Sequence, residues 1–357
     1  MKKILIALIC LISFCVLVCI GGFVYYKSNL KAVGTDKEVT FVVEKGQTTT
    51  QVLQELENEG LIRSELVGKI YLKLNKGISP QAGSYELNTN MTFAEIMTKL
   101  SNGDVIDNSI KITFVEGKRI PYFAQEINKK FPQYTEEEIL NKMSDKEFLN
   151  KLIEKYWFLT EDILDERIYY PLEGYLFPST YQIKEDATIE EIIYKLLDTT
   201  GAILNKNKEA IEKSKLTIHQ IMTLSSIVEL EGASSTDRAG VAGVFYNRIN
   251  NNWTLGSDVT TYYAVRKDFK DELLWVDLQT CNPYNTSAMS TCAFTGLPVG
   301  PICSPGSDSI NGTINPTDHN YFYFVADKNG KTYFNVDEAG HQKTIQTLKQ
   351  QGLWYEY

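Results

Sequence analysis

The sequence predicts an α+β protein with a single transmembrane helix at its amino terminus. An uncharged run from Ile4 to Tyr26 is long enough to cross a bilayer. Beyond it, short β-type stretches are each followed by a turn and an amphipathic helix. Helix-start signals then recur through the second half of the chain, which is typical of a mixed α+β domain. The roughly 330 residues outside the membrane run can bury two or more cores of ordinary domain size.

The amino-terminal run is interpreted as an uncleaved anchor. We assign residues 1–3 to a cytoplasmic tail, 4–26 to the transmembrane helix and 27–38 to a polar linker. A cleaved secretory signal would have a shorter apolar core that ends in small residues, whereas this run stays bulky to its end. Lys2 and Lys3 favour an orientation with the carboxyl-terminal side outside the cell. We therefore expect a single-pass protein of the cell membrane with an external domain.

Charge and cysteine content narrow the classes of partner. The formal net charge is −9 and there is no basic block, which argues against binding to nucleic acid. Outside the anchor the cysteines are Cys281, Cys292 and Cys303. They permit at most one disulfide, of undecided pairing, and their spacing does not fit a zinc site. We expect neither a metal nor a cofactor, and a largely uncharged or zwitterionic polymer as the partner.

The first folded segment is predicted to be a small α+β module over residues 39–104. A strand and a tight turn open it, and Thr50–Leu56 is an amphipathic helix. A second helix follows. Thr92 and Glu95 then form a capping box, which opens a third helix.

The strand and turn of this module recur further along the chain. Ile112–Gly117 matches Thr40–Gly46 with one residue inserted. We therefore predict a second strand–turn–helix unit, with further helices, over 110–165. Capping boxes are expected at Thr135, Ser144 and Thr188.

An aromatic, proline-bounded segment, Pro171–Pro178, interrupts this helical region. Proline at both ends excludes an ordinary helix. The segment carries Glu173, for which two interpretations stay open. The segment is either a packed connection whose Glu173 caps a neighbouring element, or a wall of a binding cleft.

The leading candidate for chemistry is Glu231, at the end of a predicted helix. Thr217 and Gln220 form a capping box, and apolar residues follow at spacings that give one broad buried face. Gly232 occupies the position of a left-handed C-terminal cap, so the Glu231 carboxylate would lie at the negative end of the helix dipole. That position raises its pKa, as a general acid working near neutral pH requires.

Glu229 lies about 200° around the helix from Glu231, so the two carboxylates cannot face one cleft. We expect one to act chemically and the other to support it. Taken alone, the segment favours two surface charges that close a helix, since charged residues are common at helix ends. A second helix is predicted to open at Ser235, with Asp237 in its first turn. The region beyond it is rich in long loops of the kind that carry function.

Several short motifs occur in the order seen in the membrane-anchored endolytic murein transglycosylases, the YceG-like family. They are Leu172–Pro178, Ser226–Glu231, Val244–Arg248, Ser257–Asp258, Tyr284–Thr286, Gly296–Ile302, Pro305–Gly306 and Tyr323–Asp327. The chain resembles this family over nearly its whole length, including the anchor and a LysM-like module at 39–104. The resemblance implies a catalytic region over 110–357, whose core with a loop-lined cleft lies at 166–357.

The resemblance also implies roles for individual residues. The family's catalytic glutamate closes an Ile-x-Glu-x-Glu pattern, which here is Val228–Glu231 and selects Glu231. The substrate-binding residues that it implies are Glu173, Tyr175, Glu229, Asp258, Tyr284, Asn285, Leu297 and Pro298. Two departures from the family are the Thr291–Phe294 segment, which lengthens one wall of the cleft, and Gly232, where the family often has a bulkier residue.

The activity implied by the resemblance is endolytic cleavage of the MurNAc–GlcNAc bond in peptidoglycan, which leaves 1,6-anhydro-MurNAc ends. The family is thought to act on nascent strands beside the peptidoglycan synthases and so to set glycan length. Two alternatives remain. One is a muramidase-type hydrolase in which Glu173 or Asp258 assists Glu231. The other is a wall-binding scaffold without catalysis.

Overall fold

The computed structural model describes residues 2–34, 36–103, 109–232 and 234–354, with side chains from residue 8 onward. The chain divides into two compact units, residues 1–108 and 109–357. Helices and short antiparallel strand pairs alternate in both. The predicted mixed α+β class is therefore confirmed.

The first unit begins with a long apolar helix, α1 (Lys2–Asn29). Its stretch Leu8–Asn29 spans 22 residues with a mean hydropathy of 2.7, and is long and apolar enough to cross a membrane. Large side chains such as Phe14 and Leu17 are exposed rather than packed on the protein. One amino-terminal helix suited to a membrane anchor is thus present, as predicted.

The rest of the first unit has the order β–α–α–β–α. The elements are β1 (Glu38–Val43), α2 (Thr49–Asn58), α3 (Glu65–Leu74), β2 (Gly83–Asn88) and α4 (Phe93–Asn102). The two strands are antiparallel, with Phe41 opposite Tyr85. Their inward side chains pack against all three helices around a closed apolar core. The Thr92–Glu95 capping box forms as predicted.

The second unit opens with a related arrangement that has longer connections. Its elements are β3 (Ser109–Thr113), α5 (Ile120–Lys130), α6 (Glu136–Met143), α7 (Lys146–Lys155), a 3₁₀ turn (Glu161–Leu164), β4 (Thr180–Lys184), α8 (Ile189–Asn205) and α9 (Lys208–Lys213). Capping boxes at Thr135 and Thr188 are confirmed. The one at Ser144 is wrong, because the Ser144 N–H closes α6 and the Asp145 carboxylate caps α7 through the Phe148 N–H, 2.7 Å away.

The two strand pairs share their register and a tyrosine contact. Ile112 pairs with Tyr181 as Phe41 pairs with Tyr85. Each tyrosine hydroxyl donates to a carbonyl four residues earlier, at 2.7 Å. Ile112 therefore corresponds to Phe41, and the two turn glycines then align with no insertion. The predicted one-residue insertion is wrong. The strand pairing shows which residues of the two segments are equivalent, and the sequence match alone did not.

The remainder of the second unit is built around one buried helix. Its elements are α10 (Ile218–Glu231), α11 (Arg238–Asn250), α12 (Asp258–Ala264), α13 (Trp275–Leu278), α14 (Ser307–Ile314), β5 (Tyr323–Ala326), β6 (Thr332–Asn335) and α15 (Glu338–Gln350). α10 packs against α11, α12 and α14. It also contributes side chains to both apolar cores of the unit. This packing fixes the position of the carboxyl end of α10.

Burial of α10 exceeds the single face that its apolar spacing predicted. Thr223, Ser225 and Ser226 are at most 1% exposed. Their hydroxyls donate to carbonyls of the same helix three or four residues earlier. Because these polar groups are satisfied within the helix, all of its sides can be buried. The next helix, α11, begins at Arg238 rather than at the predicted Ser235.

Candidate active site

Glu231 is the last residue of α10, and its carboxylate is held by a residue distant in sequence. The Ser257 hydroxyl donates to Glu231 Oε1 at 2.6 Å. Ser257 is 2% exposed, whereas Glu231 keeps part of its surface. The carboxylate is therefore held by a buried donor, while Glu231 as a residue stays partly exposed.

Opposing influences set the proton affinity of Glu231. Burial is the largest and raises the pKa of Glu231 above its usual value. The Ser257 hydrogen bond and the positive charge of Arg248 oppose this rise, whereas the negative charge of Asp258 adds to it. The carboxyl end of a helix also disfavours an anion. The group thus holds its proton more tightly than an exposed glutamate, yet its anion has two stabilising neighbours.

Arg248 is fixed in place by carbonyls from two other segments. Its Nε donates to the Phe322 carbonyl at 2.9 Å, and its Nη1 donates to the Leu255 carbonyl. The guanidinium lies over the Tyr323 ring, 5.5 Å from its centroid. Arg248 thus ties α11 to β5 and to the loop that ends in Ser257. In the sequence, Arg248 was notable only as the last residue of the Val244–Arg248 motif.

Glu229 is engaged by the protein on both of its oxygens. Its Oε1 forms an ion pair with Arg238 Nη2 at 2.8 Å. Its Oε2 accepts from the Gly306 N–H at 2.8 Å and from the Ser309 hydroxyl at 2.7 Å. Glu229 and Glu231 therefore have separate sets of partners, as the helix geometry predicted. Glu229 therefore links α10 to α14, and both of its carboxylate oxygens are occupied by protein groups rather than available to substrate.

Gly232 does not adopt the predicted left-handed cap, since its φ is −73° and its ψ is 111°. A Cβ at this position would lie 2.8 Å from Arg238 Cγ and 2.9 Å from the Val228 carbonyl oxygen. Close approach of the Arg238 side chain, rather than a positive φ, is therefore what requires glycine here.

Glu173 and Tyr175 are interior residues, which corrects their predicted place on a cleft wall. Both are 0% exposed. Glu173 accepts from the Ile120 N–H at 3.1 Å and from the Tyr263 hydroxyl at 3.1 Å. Ile120 is the first residue of α5, so Glu173 caps a neighbouring helix, the first of the two interpretations left open. Tyr175 forms a hydrogen bond through its hydroxyl with His219 Nδ1 at 2.8 Å.

Burial also separates the other predicted binding residues. Tyr284 and Asn285 are 0% exposed and Pro298 is buried, so they support the loops from inside. Asp258 is exposed and Leu297 is partly exposed. Of the predicted set, Asp258 is the residue placed electrostatically beside Glu231. Ser257 was singled out only as part of a motif, and its role as the hydrogen-bond donor was not predicted.

The disulfide that the sequence permitted joins Cys281 to Cys292. Cys303 is a buried free thiol, whose Sγ donates to the Ser226 carbonyl at 3.2 Å. Within the described parts of the chain, no group of three or more His, Cys, Asp or Glu side chains is arranged to hold a metal ion.

The sequence profile of the YceG-like family matches residues 41–347. The chain belongs to this family. The matched range includes α10, Ser257 and the disulfide loop, so the whole candidate site lies inside it. In this YceG-like chain, Glu231 was selected both by its position at a helix end and by the family motif. Both selections concern a residue inside the matched range.

Named relatives cover most of the chain. An endolytic murein transglycosylase of Bacillus subtilis (strain 168) is 32% identical over 327 residues, which are 90% of this chain and 89% of that protein. An endolytic murein transglycosylase of Streptococcus pneumoniae (strain D39) is 31% identical over 93% of this chain and 63% of its own length. A crystal structure of a yceG-like protein from Listeria monocytogenes superposes with a TM-score of 0.61, at 32% identity, over 87% of this chain and all of that chain.

Proposed function

We propose that this YceG-like protein is an endolytic murein transglycosylase that cuts the MurNAc–GlcNAc bond within peptidoglycan glycan strands. The observation that carries the proposal is the environment of Glu231, a part-exposed residue whose carboxyl pKa is raised by burial. Two relatives at 31–32% identity bear this activity in their names. A single carboxyl group with these properties is what a lytic mechanism needs.

In the proposed reaction, Glu231 acts first as an acid and then as a base. It gives its proton to the bridging oxygen, the bond from C1 of MurNAc to that oxygen breaks, and an oxocarbenium-like centre develops at C1. The Glu231 carboxylate then takes the proton of the MurNAc 6-hydroxyl as that oxygen bonds to C1. The products are a free GlcNAc hydroxyl and a 1,6-anhydro-MurNAc end, and no water is consumed.

The neighbours of Glu231 suit both halves of this cycle. Burial and Asp258 favour the protonated form with which the reaction begins. Ser257 and Arg248 stabilise the carboxylate that exists between the two proton transfers. The site therefore supports a group that must change its charge twice in each turnover.

A muramidase-type hydrolase is the competing reaction and needs a second carboxylate to position water or attack C1. Glu173 is an unsuitable partner, because it is 0% exposed and caps α5. Asp258 is the remaining candidate for that role, since it is exposed and near Glu231.

Mass spectrometry of fragments released from purified peptidoglycan by the full chain in detergent separates these reactions. Anhydro ends are expected from the parent and none from Glu231→Gln. The exposed Glu166→Gln serves as the matched control and should retain parent activity. Reducing MurNAc ends would instead favour the hydrolase with Asp258. A parent that binds glycan without cleaving it would favour the scaffold and overturn the proposal.

The finer cellular roles belong to the same proposal. α1 would anchor the protein in the cell membrane with its carboxyl-terminal side outside, and residues 39–104 would form a LysM-like module that binds glycan. The protein would act on nascent strands beside peptidoglycan synthases and limit glycan length. Glycan strands that lengthen on depletion of the protein, and shorten again on return of the parent but not of Glu231→Gln, would support this role.

A further inference from the structure

We propose that Thr286 and the Cys281–Cys292 disulfide are positioning elements for Glu231, so that the oxidised loop keeps the site active. This inference rests on the proposed function, since it concerns the same carboxyl group. It begins from the Ser257 hydroxyl, the direct partner of Glu231. Ser257 precedes α12 and is not part of the helix that carries Glu231, so its position depends on what holds its loop.

Thr286 holds that loop through its backbone and its side chain. The Gly256 N–H donates to the Thr286 carbonyl at 3.0 Å, and the Ser257 N–H donates to Thr286 Oγ1 at 3.2 Å. Gly256 has a φ of +57°, a conformation that favours glycine and that accompanies these two successive contacts. The geometry of Ser257 is therefore set by Thr286.

Thr260 completes a closed set of contacts around Ser257. Its hydroxyl donates to the Ser257 carbonyl at 2.6 Å and forms a hydrogen bond with Thr286 Oγ1 at 2.8 Å. The Thr286 N–H reaches the Thr260 hydroxyl at 3.1 Å. All three residues are at most 2% exposed. Buried polar groups that satisfy one another in this way rigidify the segments that they join.

Thr286 itself lies in a segment without helix or strand, which the disulfide closes. Cys281 and Cys292 are 11 residues apart in sequence, and Thr286 lies between them. Inside the loop, Asn285 donates to the Leu278 and Thr280 carbonyls at 3.0 and 2.8 Å. These inner contacts do not involve the cysteines, so reduction is expected to loosen the loop rather than to unfold it.

Both cysteines of the pair are exposed, whereas Asn285 and Thr286 are buried. The disulfide is thus accessible to a soluble reductant, and its effect reaches Glu231 through Thr286 and Ser257. Loss of the Ser257 hydrogen bond would remove a contact that favours the carboxylate form of Glu231. Loosening should therefore raise the pKa of Glu231 further and lower turnover.

The test measures anhydro-product formation by the full chain in detergent across a pH range. The samples are the oxidised parent, the parent with a phosphine reductant, and a Cys281→Ser/Cys292→Ser variant with and without that reductant. We expect reduction and the double substitution each to lower kcat about tenfold. They should also move the alkaline limb of kcat to higher pH, and leave KM nearly unchanged.

The reductant should have no further effect on the double variant, which controls for the thiols elsewhere in the chain. Thr286→Val should reproduce the kcat loss and the shift, because it removes the hydroxyl but keeps the shape. Thr286→Ser should restore both. A general loss of folded protein would lower the rate of anhydro-product formation at every pH without moving the alkaline limb of kcat.

Unchanged kcat and an unmoved limb in the reduced parent and in Thr286→Val would overturn the positioning role. This outcome differs from failure of the proposed function, in which the oxidised parent itself forms no anhydro product. In that case the same four samples are compared by carboxyl-resolved NMR titration of Glu231. A pKa unaffected by reduction then overturns the inference on its own.

Discussion

Ser257 donates a hydrogen bond to Glu231 at 2.6 Å, although the two residues are 26 positions apart and belong to different segments of the second unit. The donor is buried and the acceptor is partly exposed. The contact stabilises the anion of a group whose burial favours the neutral form. The balance between these two influences determines how readily Glu231 gives up and takes back a proton.

Ser257→Ala should lower kcat about tenfold, because the carboxylate formed after the first proton transfer loses a charge-assisted hydrogen bond. The pKa of Glu231 should rise, since the lost contact favoured the ionised form. A pH–rate profile of anhydro-product formation measures both effects. The exposed Ser235→Ala is the matched control and should behave as the parent. A parent-like profile for Ser257→Ala would show that the hydrogen bond has no part in catalysis.

The parent should show an alkaline limb in kcat/KM that reports Glu231 in the free enzyme. The first step needs the protonated form, so activity is present below the raised pKa and is lost as pH climbs through it. An exposed glutamate titrates near pH 4.3, so the limb should lie well above that value. Glu231→Gln should abolish turnover but leave glycan binding largely intact. A limb at the value of an exposed glutamate would contradict this assignment.

Glu229→Gln should affect stability far more than the chemistry of the folded enzyme. Its carboxylate pairs with Arg238, and the two side chains are only 6% and 13% exposed. Removing one charge of a buried pair leaves the other uncompensated, and we expect a loss of about 3 kcal/mol in the free energy of unfolding. Chemical denaturation measures this loss. Glu231→Gln should cost much less stability, and equal activity losses from the two variants would refute the separate roles.

Glu173 should make stability depend on pH. Its burial raises its pKa to about 8, so the folded state binds a proton that the unfolded state releases near pH 4.3. The stability gained by keeping that proton is complete below about pH 4 and is lost as pH rises through about 8. Glu173→Gln cannot ionise, so its Tm should fall less than that of the parent between pH 5 and pH 9. Parallel Tm curves would argue against a buried neutral carboxyl group.

Gly232 should tolerate neither alanine nor asparagine, because each adds a Cβ against Arg238 and the Val228 carbonyl. We expect losses of about 1–3 kcal/mol from such overpacking. Gly60 is the matched control, since its φ is +69° and the space around it is open. There asparagine should be tolerated better than alanine. Denaturation midpoints of the four variants measure these losses. If asparagine were tolerated better than alanine at Gly232 as well, Gly232 would be a left-handed cap after all.

Local signals predicted the elements well wherever both partners of a contact lie close in sequence. The capping boxes at Thr92, Thr135, Thr188 and Thr217 join residues three positions apart, and all four form. Ser144 failed because Asp145, the next residue, is a charged acceptor that caps the same helix. Adjacent candidates compete, and a pattern of residue types does not decide between them.

Two predictions about single residues failed because they depend on surroundings. Gly232 looked like a left-handed cap, but its backbone is extended, and the Arg238 side chain from the next helix lies where a Cβ would stand. Glu173 lay in a loop-like, aromatic segment, yet the amino terminus of α5 and Tyr263 enclose it completely. Burial of a loop residue is set by what packs over it, which is not encoded in its neighbours.

By itself the sequence determined the apolar amino-terminal helix, the α+β class and the helix end that presents Glu231, since each depends on composition or on spacing within one element. It also separated Glu229 from Glu231 through helical geometry alone. Only the tertiary structure decided that Ser257 and Arg248 act on Glu231, that Glu229 braces α14, and that Cys281 pairs with Cys292. The Glu231 and Glu229 contacts join different segments of the folded chain, and a disulfide pairing needs the positions of all the cysteines. Such contacts arise from tertiary packing, which brings together residues that no periodic pattern in the sequence connects.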